Sequence, residues 1–351
     1  MKDIARMALT DGMVLGKDIT SFSGDIIAPA GTKVDKNLIN KLTRFNIMVV
    51  TIMEDVDYAT NYFERIRLSD GFRAFEKQYN EAMPIYKKIM SDFIESDVSV
   101  PIYELIVLYE KLTQGIRDCE LILDYLYNML PTEDDLTYAH CLNSALIAGV
   151  FADFLNLSPE EKEILIQCAF FYDIGKLKLP HELIWKPSKL TPIEFAQIKT
   201  HTILGFQLIQ DQPLDENILK ATLSHHEKYD GSGYPSRLHD VQINKYARII
   251  SIIDSYEAMT SARTYRASKH PFQIIEIFEQ DSTKYDLEIL NPILYRLANH
   301  MVGLNVKLND DTEAEVILIN NANLSRPLLK RKDSLFIDLM QRRDLTIMGI
   351  Y

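Results

Sequence analysis

The segment from Leu223 to Pro235 reads Leu-Ser-His-His-Glu-Lys-Tyr-Asp-Gly-Ser-Gly-Tyr-Pro. Neighbouring histidines point in different directions on a helix, so the pair His225 and His226 fills a core poorly. At a helix end, both imidazoles can turn toward one polar centre. The run Asp230-Gly231-Ser232-Gly233-Tyr234-Pro235 forces a tight loop beside them. Paired imidazoles next to such a loop point to a metal site; the plainer alternative is a surface pair with no role.

Further candidate ligands lie before and after this segment: His140, Asp173, His181, His201 and Asp254. Of the eight histidines in the chain, six fall between His140 and Asp254, and five of these (140, 181, 201, 225 and 226) are the candidate ligands. Asp173 and Asp254 each close a strongly apolar run. A carboxylate there is expensive to bury unless it meets a cation or a hydrogen-bond network. One such acid alone reads as a helix-end residue. Two of them with five histidines read as a metal cluster. Lys176 follows Asp173 by three residues, which puts it on the same side of a helical turn. Its ammonium can hold a phosphate oxygen as a point charge.

Helices must position these groups. Ser158-Pro159-Glu160-Glu161 is a capping box with proline at the first helical position, and Thr191-Pro192-Ile193-Glu194 repeats it. Asp173 should follow the first of these helices, and His201 should lie on the second. Leu136 to Leu155 carries apolar residues at helical spacing.

Elsewhere the chain divides by pattern. Residues 1–55 read as a small α+β module: a strand at Gly24 to Ala28, a turn at Pro29 to Thr32, a helix over Val34 to Phe45 and a strand over Ile47 to Ile52. Residues 56–130 are a helical linker or regulatory region in which Pro84 and Pro101 mark breaks or helix starts. Its aromatic residues fit a core, and some of them would equally suit a homodimer surface. Residues 301–351 form a short β appendage, with a hairpin around Asn309-Asp310-Asp311-Thr312 and a further strand near Leu345 to Tyr351.

The 351 residues allow two or three domains. A net charge of −12 argues against a nucleic-acid polymer as partner but permits a local basic pocket. No apolar run approaches the ~18 residues of a membrane span, and the N-terminus lacks a basic-then-apolar signal. The expectation is a cytoplasmic protein. Cys119, Cys141 and Cys168 show no metal or redox spacing and read as small core residues.

From roughly Thr132 to His270 the chain resembles the HD-GYP family, the cyclic di-GMP phosphodiesterases of the His-Asp metal-dependent phosphohydrolases. The resemblance rests on His225-His226-Glu227, on Asp230 to Pro235, and on Ala247-Arg248-Ile249-Ile250 followed by Asp254. Asp173-Ile174-Gly175-Lys176, Lys186 to Thr191, His201 to Gly205 and Thr260 to Arg266 also match in order and spacing. It implies a mainly α fold, with an all-helical HD-type domain over 131–300. It also implies hydrolysis of cyclic di-GMP to the linear dinucleotide or GMP, with two divalent transition metals, iron or manganese. Asp173 then bridges the metals, and Asp173 and Lys176 are catalytic. His201, His225 and His226 complete one metal site, His140 and Asp254 belong to the other, and His181 extends the set in some members. Lys176, Arg263, Arg266 and Tyr234 are the implied substrate contacts, and the loop is associated with diguanylate cyclase domains. Two positions depart from the pattern. Tyr172-Asp173 replaces the His-Asp pair, and Leu136 stands where some members carry a glutamate. These departures favour a second reading, a non-hydrolysing cyclic di-GMP sensor or protein-binding scaffold.

Overall fold

The computed structural model describes residues 2–20, 26–53, 61–95, 99–129, 136–184, 186, 189–261 and 269–351. In the N-terminal module, β1 (Lys2–Ala5) pairs antiparallel with β4 (Val49–Ile52), and β2 (Ile19–Thr20) with β3 (Ile26–Ala28). Between them α1 (Lys36–Arg44) is capped by Asp35, which accepts from the Leu38 amide at 2.7 Å. Ile4, Leu15, Val34, Leu42 and Ile52 form a core of their own. The strand β1 has no strong alternation in its four residues, and its pairing is visible only in the fold.

Helices α2 (Tyr62–Leu68), α3 (Asp70–Glu95), α4 (Ile102–Thr113) and α5 (Glu120–Asn128) follow. Pro101 caps α4 as expected, but Pro84 lies inside α3 instead of breaking it. Its ring sits on the exposed face, where water can satisfy the carbonyl left without a donor. Phe72, Phe75, Tyr79 and Tyr86 are core residues and join one cluster with the helices that follow. Tyr79 donates to Asn143 at 2.6 Å and Tyr86 to the Phe170 carbonyl at 3.2 Å. The region over 56–130 therefore shares its core with the helices that carry the candidate ligands.

Those helices are α6 (Leu136–Phe154), α7 (Pro159–Phe171), α8 (His181–Ile184), α9 (Pro192–Lys199), α10 (His201–Ile209), α11 (Glu216–Ser224), α12 (Lys245–Thr260), α13 (Pro271–Gln280) and α14 (Leu287–His300). Helix α6 is buried on every side from Ala139 to Ala152, so it is the central helix. Both capping boxes form. His201 is not on α9 as the pattern suggested; it opens α10, because the chain turns at Thr200. Cys141 and Cys168 are buried free thiols, as expected of core residues.

At the C-terminus β5 (Asn305–Leu308), β6 (Glu313–Leu318), β7 (Leu328–Arg331), β8 (Phe336–Asp338) and β9 (Ile347–Ile350) form an antiparallel sheet in the order β8-β7-β6-β5-β9. The hairpin and last strand were expected; β7 and β8 were not. His270, pushed down to about 4 by burial, stays neutral and donates through Nε2 to the Ile347 carbonyl at 2.9 Å. That bond ties β9 to the start of α13. No helix among the described residues is long and apolar enough to cross a membrane.

Candidate metal centre

The centre begins with two glycines. After α7 the chain makes a short 3-10 turn over Ile174–Lys178 that crosses α10 at close range. A Cβ on Gly175 would lie 1.9 Å from the His201 carbonyl oxygen and 2.5 Å from the Gly205 nitrogen. Only glycine permits this crossing, which brings Asp173 beside His201. Gly175→Ala should force the two backbones apart. We expect a loss of about 1–3 kcal/mol, read by urea unfolding, and a loss of bound metal with it.

Asp173, His201, His225 and His226 each offer a ligand atom within 4.8 Å of one another. His201 Nδ1 meets the Ile198 carbonyl at 2.6 Å, and His225 Nδ1 meets the Thr222 carbonyl at 3.0 Å. Carbonyls only accept, so both Nδ1 atoms carry the proton and both Nε2 atoms are bare when the rings are neutral. The two Nε2 atoms face each other at 3.2 Å. They lie 3.2 Å and 3.5 Å from Asp173 Oδ1, a buried oxygen with no hydrogen-bond donor. Lone pairs converging in this way call for a cation. Burial holds His225 below the usual histidine range, and burial with the neighbouring His225 holds His226 well below it. This donor set fits a divalent transition metal.

The second group is His140, Asp173 and Asp254. His140 Nε2 lies 3.0 Å from Asp173 Oδ2 and 3.2 Å from Asp254 Oδ1. Its Nδ1 meets Glu257, which also accepts from Asn143 at 3.0 Å. Burial would depress the His140 imidazolium, yet Glu257, Asp173 and Asp254 outweigh it and hold the ring well above the usual range. Lys176 contacts the same Asp173 Oδ2. Burial opposes its charge too, and Asp173 and Asp254 restore it. Burial likewise opposes ionisation of Asp173, but Lys176 and the imidazoles hold it well below the carboxylate range. Asp173 thus belongs to both groups.

The Tyr172 hydroxyl sits 2.5 Å from His140 Nε2 and 2.9 Å from Ser144 Oγ. The residue is fully buried, and burial with Asp254 and Asp173 pushes its phenol well above the usual range. It stays neutral and covers the nitrogen through which His140 would bind metal.

Glu257 was missed in the sequence. It lies three residues after Asp254 on α12, one turn along the same face, and that spacing was the available signal. By orienting His140 it should act as a ligand's support. Glu257→Gln should weaken metal at the His140 group by roughly 10–100-fold while the His201 group keeps its metal. Metal titration with two resolved affinities would check this.

The proton on His140 has a further consequence. A metal at the His140 group must displace it, whereas His225 and His226 are already neutral. Below the raised His140 pKa, affinity there should climb about tenfold per pH unit, with about one proton released. His225 and His226, held neutral by burial, should contribute almost none near neutral pH. Calorimetry in buffers of different ionisation enthalpy counts those protons.

His226 extends the first group outward and stacks on Tyr234 at 4.7 Å between centroids. Glu227 accepts from the Ser236 amide at 2.7 Å and the Leu238 amide at 3.1 Å, which fastens the loop. Gly233 passes so close to Glu227 that a Cβ would lie 2.4 Å from its Cα. Tyr234 is therefore at the rim, with one ring face against His226. His181 opens α8, exposed and outside both ligand groups. Arg263 and Arg266 lie outside the described residues.

Residues 124–289 match the HD domain family. Over 147 residues the chain is 37% identical to the cyclic di-GMP phosphodiesterase response regulator RpfG of Xanthomonas campestris, covering 41% of this chain and 39% of that protein. It is 33% identical over 158 residues to a cyclic di-GMP phosphodiesterase of Thermotoga maritima, 44% of this chain and 42% of that one. It is 29% identical over 188 residues to the 3'3'-cGAMP-specific phosphodiesterase 1 of Vibrio cholerae, covering 52% and 44%. The matches span less than half the length of each of these relatives.

Proposed function

We propose, from the match of residues 124–289 to the HD domain family, that this protein is a metal-dependent phosphodiesterase acting on cyclic di-GMP. The observation that carries the reading is Asp173, fully buried and common to two ligand groups, with the Lys176 ammonium on one of its oxygens. Two divalent metals held there, iron or manganese, would supply positive charge at phosphorus and an acidified water for attack. His201 and His225 present bare nitrogens because backbone carbonyls hold their protons. Glu257 orients His140. Lys176, partly exposed at 21%, can turn its charge to a phosphate oxygen. The product is the linear dinucleotide or GMP.

Arg263 and Arg266 complete this reading as phosphate contacts. Replacing both with alanine should weaken cyclic di-GMP binding by roughly 1.5–3 kcal/mol for each charged hydrogen bond lost, with metal content unchanged. Wild-type affinity in calorimetry would remove them from the site. The loop carrying Tyr234 is the surface we assign to a diguanylate cyclase partner. A nucleotide ligand fits a cytoplasmic place of work.

Tyr172 favours the second reading, a cyclic di-GMP sensor, because its hydroxyl covers His140 Nε2. Metal-loaded protein offered cyclic di-GMP and 3'3'-cGAMP in parallel separates the cases. Faster consumption of cyclic di-GMP is expected. Faster loss of 3'3'-cGAMP would reassign the substrate, and tight binding with neither consumed would favour the sensor.

A further inference from the structure

Beside the metal centre lies a cavity of about 380 Å³ lined by Lys199, Gly231, Ser232, Gly233, Tyr234, Pro235 and Arg237. Two of its walls are cationic and none is acidic. Lys199 Nζ stands over the Phe195 ring at 4.6 Å and over the Tyr234 ring at 5.0 Å. Aromatic faces orient an ammonium without neutralising it. Neither Lys199 nor Arg237 pairs with a carboxylate among the described residues. Elsewhere on this acidic chain surface cations do pair, as Lys186 does with Glu194 at 2.6 Å and Lys245 with Glu161 at 2.6 Å.

Arg237 has a second peculiarity. Its backbone lies in the left-handed region at φ 54°, where glycine sits without strain and a side chain costs free energy. A strained residue at the edge of a cavity is a pointer to what its side chain does.

We propose that Lys199 and Arg237 form an anion subsite for the second phosphate of a cyclic dinucleotide, the one not held at the metal centre. The proposal rests on the phosphodiesterase reading above. Its geometry is a short relay. His226 is a ligand of the centre, the Tyr234 ring stacks on it at 4.7 Å, and Lys199 lies on that same ring. Lys199 is thus one aromatic ring beyond the ligand shell, and Arg237 lines the same cavity. A cyclic dinucleotide carries two phosphates on opposite sides of its ring. With one phosphate at the metals, contacted by Lys176, Arg263 and Arg266 in the reading above, the other needs a cation at some remove, and an arginine fork with a lysine point charge matches it.

The test is the full-length double variant Lys199→Met with Arg237→Gly. Methionine keeps the apolar stem against Phe195, and glycine relaxes the left-handed backbone, so the fold should hold and Tm should not fall. Metal content should equal wild type. The Kd and KM for cyclic di-GMP should rise by at least about tenfold, as expected when charge-assisted contacts are lost, with kcat changed far less. The salt dependence of binding should also flatten, because two cations no longer contribute. Unchanged cyclic di-GMP affinity in the variant would overturn the subsite, as would a loss of metal that accounts for the weaker binding. Wild-type hydrolysis of bis(4-nitrophenyl) phosphate, a diester with one phosphate, reports the hydrolytic reading separately. If the wild type cleaves neither compound but the variant still loses cyclic di-GMP binding, the subsite stands on a sensor and only the hydrolytic reading falls. Wild type that binds no cyclic di-GMP overturns both.

Discussion

Asp173→Ala should strip the protein of most of its transition metal and bring cyclic di-GMP turnover to background. Asp173 is fully buried and contacts His140 at 3.0 Å, His201 at 3.2 Å and the Lys176 ammonium. Removing its carboxylate takes one ligand from each group at once. The loss of metal affinity should exceed the roughly 10–100-fold typical of losing a partner that only supports a ligand. The fold should also suffer, since Lys176 is left as a charge without its carboxylate. Breaking a buried pair in this way costs about 3–5 kcal/mol. Asp173→Asn keeps the shape and separates the two effects: metal should still be lost, with less destabilisation. Elemental analysis showing unchanged metal in both variants, with helical circular dichroism intact, would sink the ligand assignment.

Tyr172→His should act in the opposite direction. Tyr172 is a neutral phenol whose hydroxyl rests on His140 Nε2, and an imidazole is the better ligand at neutral pH. The other members of that group, His140, Asp173 and Asp254, are in place. Histidine at 172 should raise the metal count toward two per chain and increase turnover, although the smaller ring leaves a gap beside Ser144 and His225 that costs about 1–3 kcal/mol. Metal stoichiometry and product formation are compared in both forms under the same loading. If the wild type already holds two metals and turns over as fast, Tyr172 is no impairment and the sensor reading loses its main support.

Part of the candidate site was legible in the sequence because Asp173 and His225 sit at the ends of well-marked helices. The boxes at Ser158 and Thr191 fix where α7 and α9 begin, and Asp173 follows α7 as expected. His225 caps α11, so the adjacent pair can turn inward, as its placement suggested. What the pattern concealed depends on tertiary contact. The bend at Thr200 that moves His201 onto α10 has no proline or glycine to announce it. Glu257 has only its spacing from Asp254 to mark it, and its role is set by the tertiary contact with His140. The crossing of Gly175 and Gly205 is a packing event between segments that are distant in sequence. Strands β7 and β8 carry charges at Lys330, Arg331 and Asp338 and lack the tight-turn signal that marks the β5–β6 hairpin. Pro84 inside α3 shows the reverse error: a local breaker overridden by the apolar face that α3 buries.

The most direct test of the account measures metal and product in one sample. Protein loaded anaerobically with Fe(II), and in parallel with Mn(II), is assayed for metal per chain and then incubated with cyclic di-GMP, with products identified by mass. The account predicts conversion to the linear dinucleotide or GMP by the metal-bearing wild type and none by Asp173→Ala. Cyclic di-GMP recovered intact from wild-type protein that holds metal in both ligand groups would contradict it.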